Sequence, residues 1–466
     1  MDPHIKLLRA KCLNSINILK YLAHPRTGCN RKLLLQLYKS LIRSQLDNGA
    51  PIYSQSSKSS LKLSDTIQSS ALRLALGALR SSPILSLCAE AGEPPLKYRF
   101  LTLTANFLAS TAQFPQLPIY TPALCPQNSL LLPIESQICK KLRLKPLLPI
   151  LSSIPPWLIP PPDIRLDLTN EPKTDNTIYR QLIQNIISSK FPTHQLCFTD
   201  GSKSGPKTGY AYSIQGTITN HRLRNSASIF TAELHAIYSC LSHLTLLTPH
   251  LKFLLLTDSL SSLLAMQEPH STNPIVQRIH LLLHILSSTS ISVSFLWIPG
   301  HINLPEHDAV DLAAKDSLHF HTISDPIPTP TYDLKNYYRS LILTSWHESW
   351  KNEPSNKLRK VKNKPIPWTS SNRPSRHEEI ILTRLRIGHT RLTHSYLFLG
   401  LHAPPSCQYC QYDYISVKHF FLCPALENIR HSHSVSSFLP SALCNNSNTI
   451  SNSLNYLRST YFYPLL

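Results

Sequence analysis

A chain of 466 residues exceeds what one ordinary hydrophobic core serves, and with 42% hydrophobic residues it has the material for two to four domains. The formal net charge of +20 points to a polyanionic partner, and it is uneven: +10 over 1–111, +2 over 112–189, zero over 190–320 and +8 over 321–466. No apolar run reaches the ~20 residues of a membrane span, MDPHIKLLRAK lacks the apolar core of a signal peptide, and an odd set of eleven cysteines argues against a secreted disulfide framework. The expectation is a soluble protein of a reduced compartment, nucleus or cytoplasm, with no membrane partner.

Residues 1–111 read as helical, from the apolar spacing of RKLLLQLYKSLIRSQL and LKLSDTIQSSALRLALGAL, with turns at Asp47-Asn48-Gly49 and Ser82-Pro83. Between Pro115 and Pro172 fall thirteen prolines, which block continuous helix or sheet and predict an extended linker over 112–175. The pattern then turns mixed: QLCFTD, GYAYSIQ, TITNHRLR, KFLLLTD and ISVSFLW have strand character, and FTAELHAIYSCLSHL, LSSLLAMQ and PIVQRIHLLLHIL carry helical spacing. A further helix is expected from Pro305 to about Leu318. The order predicts a mixed α/β domain over 190–320, an open sheet with helices packed on it. A polar, basic linker follows over 331–376, then a helical stretch EEIILTRLRIGHTRLTHSYLFLGL opening a small module over 377–430, and a Ser/Asn-rich tail over 431–466.

Four carboxylates stand out: Asp200 in CFTDGSKSG, Glu233 in FTAELHA, Asp258 in LLLTDSL and Asp311 in the segment after PGH. Asp200 and Asp258 close apolar strands and Glu233 sits at a helix start, so acids far apart in sequence reach one rim of the sheet. Convergent carboxylates suit divalent ions that take hard oxygen ligands, and a pair of such ions roughly 4 Å apart serves phosphodiester hydrolysis.

At these residues the sequence resembles the type 1 ribonuclease H family over about 195–318. TDGS, TAEL, TDS and PGH…D…LAAK match its four motifs in order. The resemblance implies a ribonuclease H-like mixed five-stranded sheet with flanking helices. It also implies two magnesium or manganese ions on Asp200, Glu233, Asp258 and Asp311, hydrolysis of the RNA strand of RNA–DNA hybrids, and assistance from His301 in protonation or product release. The fourth motif departs from the usual GHxGIxGNExAD: Asn303 replaces the first Gly, Glu306 the second, His307 the Asn and Asp308 the Glu. Asn tolerates a left-handed backbone, so the loop is expected to survive. Asp308, one turn before Asp311, is a neighbouring candidate.

The first hundred residues resemble the C-terminal part of the reverse transcriptase of jockey-like non-LTR retrotransposons, through LYKSLIRSQLDNGAPIY, SDTIQSSALRLALGALRSSP and AEAGEPPL. No Tyr/Phe-x-Asp-Asp motif occurs in the chain, so DNA synthesis is not expected and an element-encoded polymerase is a possible partner. Cys407, Cys410, His419 and Cys423 have CCHC spacing suited to tetrahedral Zn2+, and resemble the zinc-binding-like module that follows ribonuclease H in such elements. Tyr409, Tyr412, Tyr414, Phe420 and Phe421 are candidates for packing or base stacking, and Arg384, Arg386, Arg391 and the 357–364 run for phosphate contacts. The alternative to a hybrid ribonuclease is a catalytically weak or inactive nucleic-acid-binding remnant. A transposase or integrase is disfavoured, because the glutamate lies between two aspartates rather than after them.

Overall fold

The computed structural model describes residues 2–111, 113–114, 116–118, 161–170, 175–323, 330–397, 399–400, 402–403, 405–411 and 413–466. Most of the expected 112–175 linker lies outside the described residues, as does Tyr412. Two compact units emerge, one containing 161–338 and the other joining 2–107 to 339–466. Among the described residues, no helix is long and apolar enough to cross a membrane.

The unit containing the carboxylates is built on a mixed sheet. Five strands lie where the apolar runs place them: β2 (Gln195–Ser204), β3 (Lys207–Ile214), β4 (Thr217–Leu223), β5 (Lys252–Thr257) and β6 (Ser292–Trp297). A sixth, β1 (Asp163–Arg165), arises within the proline-rich stretch and pairs in parallel with β6. Three residues with Pro162 just before them carry too little pattern to register as a strand. The sheet order is β1-β6-β5-β2-β3-β4, with β2–β3 and β3–β4 antiparallel and the remaining pairs parallel.

β5 explains why the sheet is stable. Its Phe253, Leu254, Leu255 and Leu256 are all fully buried, as a parallel strand covered on both faces requires. Phe253 and Leu255 face the helices Ile229–Leu244 and Pro274–Ser288, with Ile237, Leu241 and Ile279. Leu254 and Leu256 face the opposite layer, where Tyr179 and Ile183 of Asn176–Lys190 meet Val310 and Ala314 of Pro305–Ser317. Each of the buried leucine, isoleucine, valine and phenylalanine side chains among these contributes roughly 1.5–3 kcal/mol of transfer free energy.

In the other unit the two ends of the chain interlock. Helices Asp2–Leu22, Lys58–Leu76, Ile84–Ala91 and Leu96–Thr111 form its first half. Glu90, fully buried, receives Arg31 at 2.7 Å and Ser371 Oγ at 3.1 Å, with Lys362 at 3.5 Å and Arg386 at 3.8 Å. Burial alone would raise the Glu90 pKa, but Lys362, Arg31 and Arg386 override it and hold the carboxyl down at about 2. Arg376 and Arg384 donate to the Leu74 and Gly77 carbonyls at 3.0 and 2.9 Å.

Several expectations about the C-terminal part change. The segment read as a basic linker is helical over Thr331–Lys351, with Leu334, Tyr338, Ile342, Trp346 and Trp350 buried at every fourth position. The stretch read as one helix from Glu378 stops at Ile387, because Gly388 takes φ +79° and closes the end with hydrogen bonds from Gly388 and His389 to Arg384 O. Arg386 and Arg384, candidates for phosphate contact, are buried. Arg386 donates to Ser370, Ser371 and the Leu443 and Cys444 carbonyls, while Arg391 stays exposed. The Ser/Asn-rich tail contributes the helix Ser447–Ser459, whose Ile450, Leu454 and Leu457 join the core of this unit.

Candidate active site

Register brings the first two acids together. In the parallel β2–β5 pair Thr199 stands opposite Thr257, so Asp200 and Asp258 emerge side by side at one end of the sheet. The Asp258 carbonyl accepts from Trp297 Nε1 at 3.0 Å. Two glycines make room: a Cβ on Gly201 would lie 2.9 Å from Glu233 N, and one on Gly300 would lie 2.8 Å from Asp258 Oδ2. Glu233 is the fifth residue of its helix, one past the first turn where it was expected, since the helix starts at Ile229 with Ser228 as N-cap accepting from Thr231 N at 3.1 Å. His301 and Asn303 both take left-handed backbone, φ +59° and +57°, which turns the chain into the helix carrying Asp311. The tolerance expected of Asn303 is what the loop uses.

Asp200, Glu233, Asp258, Asp311 and His301 all line one cavity of about 200 Å³. Asp308, the neighbouring candidate, lines it as well, and so do Lys203, His307 and Lys315, which the sequence did not single out as site residues. Among the described residues, Asp200, Asp258 and His307 offer ligand atoms that all lie within 4.8 Å of one another. Glu233 and Asp311 stand around that group.

Five carboxylates facing two lysines leave the cavity short of positive charge. Burial, then the neighbouring Asp258 and Asp311, pushes the Asp200 carboxyl up to about 8. Burial and the Asp200 and Asp258 charges raise Glu233 well above its ordinary value, although the Gly201 backbone donates to it. Lys315 is engaged by Asp311 at 2.6 Å, and the Lys203 ammonium donates to Ala227 O at 2.6 Å. Glu233 Oε2 is buried with no hydrogen-bond partner. Crowded carboxylate oxygens, one of them unpartnered, fit divalent cations with oxygen ligands.

The Glu233 helix is held by a residue outside the recognised motifs. Asp333 is buried, accepts from Ser228 N at 3.1 Å and from Thr231 Oγ1 at 2.7 Å, and so fixes the helix start from the segment read as a linker. An isolated acid two residues into a helical pattern after Pro330 was the available signal, masked by the basic surroundings. Asp333→Ala is expected to cost about 2 kcal/mol, the scale of a charge-assisted hydrogen bond. A urea titration measures the loss. The Mg2+ concentration for half-maximal activity should rise with it if Glu233 shifts.

Cys407, Cys410, His419 and Cys423 also converge, with ligand atoms within 4.8 Å of one another. Cys407 Sγ is 3.9 Å from Cys423 Sγ, and Cys410 Sγ is 3.4 Å from His419 Nε2. A tight turn bonds Gln411 N to Cys407 O at 2.9 Å, and Ser416 caps the short helix carrying His419. His419 Nδ1 faces Asp413 at 3.6 Å, leaving Nε2 toward the thiols, the usual orientation of a metal-ligating imidazole. Phe420 and Phe421 are fully buried and pack beneath the cluster, while Tyr414 is exposed.

Comparison with known proteins adds one finding. The RNase H family model matches residues 192–319. No curated protein matches the chain. The matched span contains β2 to β6 and every acid that lines the cavity, so residues 192–319 form a ribonuclease H domain.

Proposed function

We propose that the protein hydrolyses the RNA strand of RNA–DNA hybrids by a two-metal mechanism, with Asp200, Glu233, Asp258 and Asp311 as ligands of magnesium or manganese. The observation that carries this reading is the convergence of those four acids on one cavity within the RNase H match. Divalent ions bound there would offset the crowded negative charge, draw in a phosphodiester and make a water nucleophilic at neutral pH. Gly201 and Gly300 keep side chains away from Glu233 and Asp258, and Trp297 fixes the Asp258 backbone. His301, exposed at the rim, is placed to give a proton to the departing 3′-oxygen, leaving 3′-hydroxyl and 5′-phosphate ends. Recognition rests on hybrid shape and the RNA 2′-hydroxyls.

The basic flanks suit a polyanion, and the phrases in residues 1–111 support descent from a retrotransposon polyprotein in which a separate polymerase makes the hybrid. A second reading, a weakly active binding remnant, draws on the Asp311–Lys315 pair, which competes with metal for one of the acids. Incubating the full chain with labelled hybrid, duplex DNA and duplex RNA, with and without Mg2+, separates the two. Mg2+-dependent cutting of hybrid alone supports the first; binding without cutting supports the second.

We further assign Cys407, Cys410, His419 and Cys423 to one zinc ion that ties the 405–423 segment to its core. The purified chain should contain one zinc by elemental analysis. Cys407→Ser should abolish it and lower the unfolding midpoint. Full zinc retention in that variant contradicts the assignment.

A further inference from the structure

We propose that His307 is itself a ligand of the divalent ion held between Asp200 and Asp258, which makes this a mixed oxygen–nitrogen metal site. The inference rests on the metal reading above and adds a ligand to it. His307 is the third residue of the helix Pro305–Ser317 and is only 4% exposed, yet its ring lines the acid cavity. Its Nε2 is buried without a hydrogen-bond partner. One of its ring nitrogens, an oxygen of Asp200 and an oxygen of Asp258 all lie within 4.8 Å of one another.

Each of these facts is costly alone. A buried imidazole nitrogen without a partner forfeits about 1–3 kcal/mol. The carboxylates of buried Asp200 and half-buried Asp258 repel each other. The imidazole does not relieve that repulsion by donating to either acid, although both are near. A cation seated among the three atoms satisfies the nitrogen lone pair and the carboxylates together.

The consequence is metal choice. Magnesium takes oxygen ligands almost exclusively, whereas imidazole suits the later first-row ions. Relative to a His307→Asn variant, the natural chain should favour Mn2+ over Mg2+ by about tenfold more.

The test uses the full chain, its cysteine cluster first filled with zinc, and Mn2+ alone as probe. Pulsed electron paramagnetic resonance detects nitrogen bound directly to manganese. The expected result is a nitrogen coupling that disappears in His307→Asn and in Asp200→Asn but persists in His301→Asn, with the shift in Mn2+/Mg2+ preference measured by competition. His307→Gln repeats the measurement should His307→Asn fail to fold. Manganese that binds in an Asp200-dependent way, with no nitrogen coupling or with coupling indifferent to His307, overturns the inference while leaving the metal reading intact. Manganese binding indifferent to Asp200 overturns both.

Discussion

Replacing Asp200 with Asn should lower hybrid cleavage by at least about a thousandfold while making the metal-free protein more stable. The two effects have one cause. Asp200 sits in one cavity with Asp258, Asp311 and Glu233, and its carboxyl is pushed up to about 8 by burial and by the Asp258 and Asp311 charges. An acid whose folded-state pKa is raised contributes stability that is complete below its ordinary value and is lost as pH rises through the folded-state value. Without metal, the variant and the natural chain should therefore unfold at similar temperatures near pH 4. By pH 8 the variant should lead by several degrees, on the order of a few kcal/mol. Adding Mg2+ at pH 8 should close that gap by stabilising only the natural chain, since ligand binding to the folded state raises its stability. Scanning calorimetry across pH, with and without Mg2+, reads all three outcomes. A variant that unfolds earlier at every pH would mean that Asp200 serves the fold and not a cation.

Glu90 should be the most sensitive position outside residues 192–319. Its carboxylate faces Arg31, Lys362 and Arg386, and neither Glu90 nor Lys362 reaches solvent. Such a group stabilises little relative to an apolar substitute, but deleting one partner strands the others. Glu90→Gln leaves three cations without their counter-charge and is expected to cost about 3–5 kcal/mol. Glu90→Gln combined with Lys362→Met should recover part of that loss, because one stranded cation is gone, and the double-mutant cycle measures the coupling. The pH response has the opposite sign to that of Asp200. With its pKa held at about 2, Glu90 contributes stability above its ordinary value of 4.5 and loses it as pH falls through about 2. Additive effects in the cycle would show that the ion pair does not couple the two ends of the chain.

The acids were legible because their signals are local: Asp200 and Asp258 end strands whose apolar residues announce them, and parallel register does the rest. Asn303 was legible for the same reason, since a left-handed position restricts residue type. Other features depend on distant partners. Asp333 acquires its role from Ser228 and Thr231, about a hundred residues away, and a lone acid in a basic stretch carries no sign of that. Charge misled twice. The buried stripe from Leu334 to Trp350 was outweighed by the lysines and arginines around it, and Arg384 and Arg386 read as phosphate contacts although their partners are backbone carbonyls, serines and, for Arg386, the buried Glu90 carboxylate. β1 was lost for a different reason, since three residues among prolines acquire strand geometry only from β6 beside them.

Anomalous diffraction from crystals of the full chain grown with Mn2+ would show whether the separated acids share divalent ions. Two manganese peaks about 4 Å apart are expected in the cavity formed by Asp200, Glu233, Asp258 and Asp311. A cavity without manganese at saturating concentration, with Lys315 and waters satisfying the carboxylates instead, would contradict that sharing.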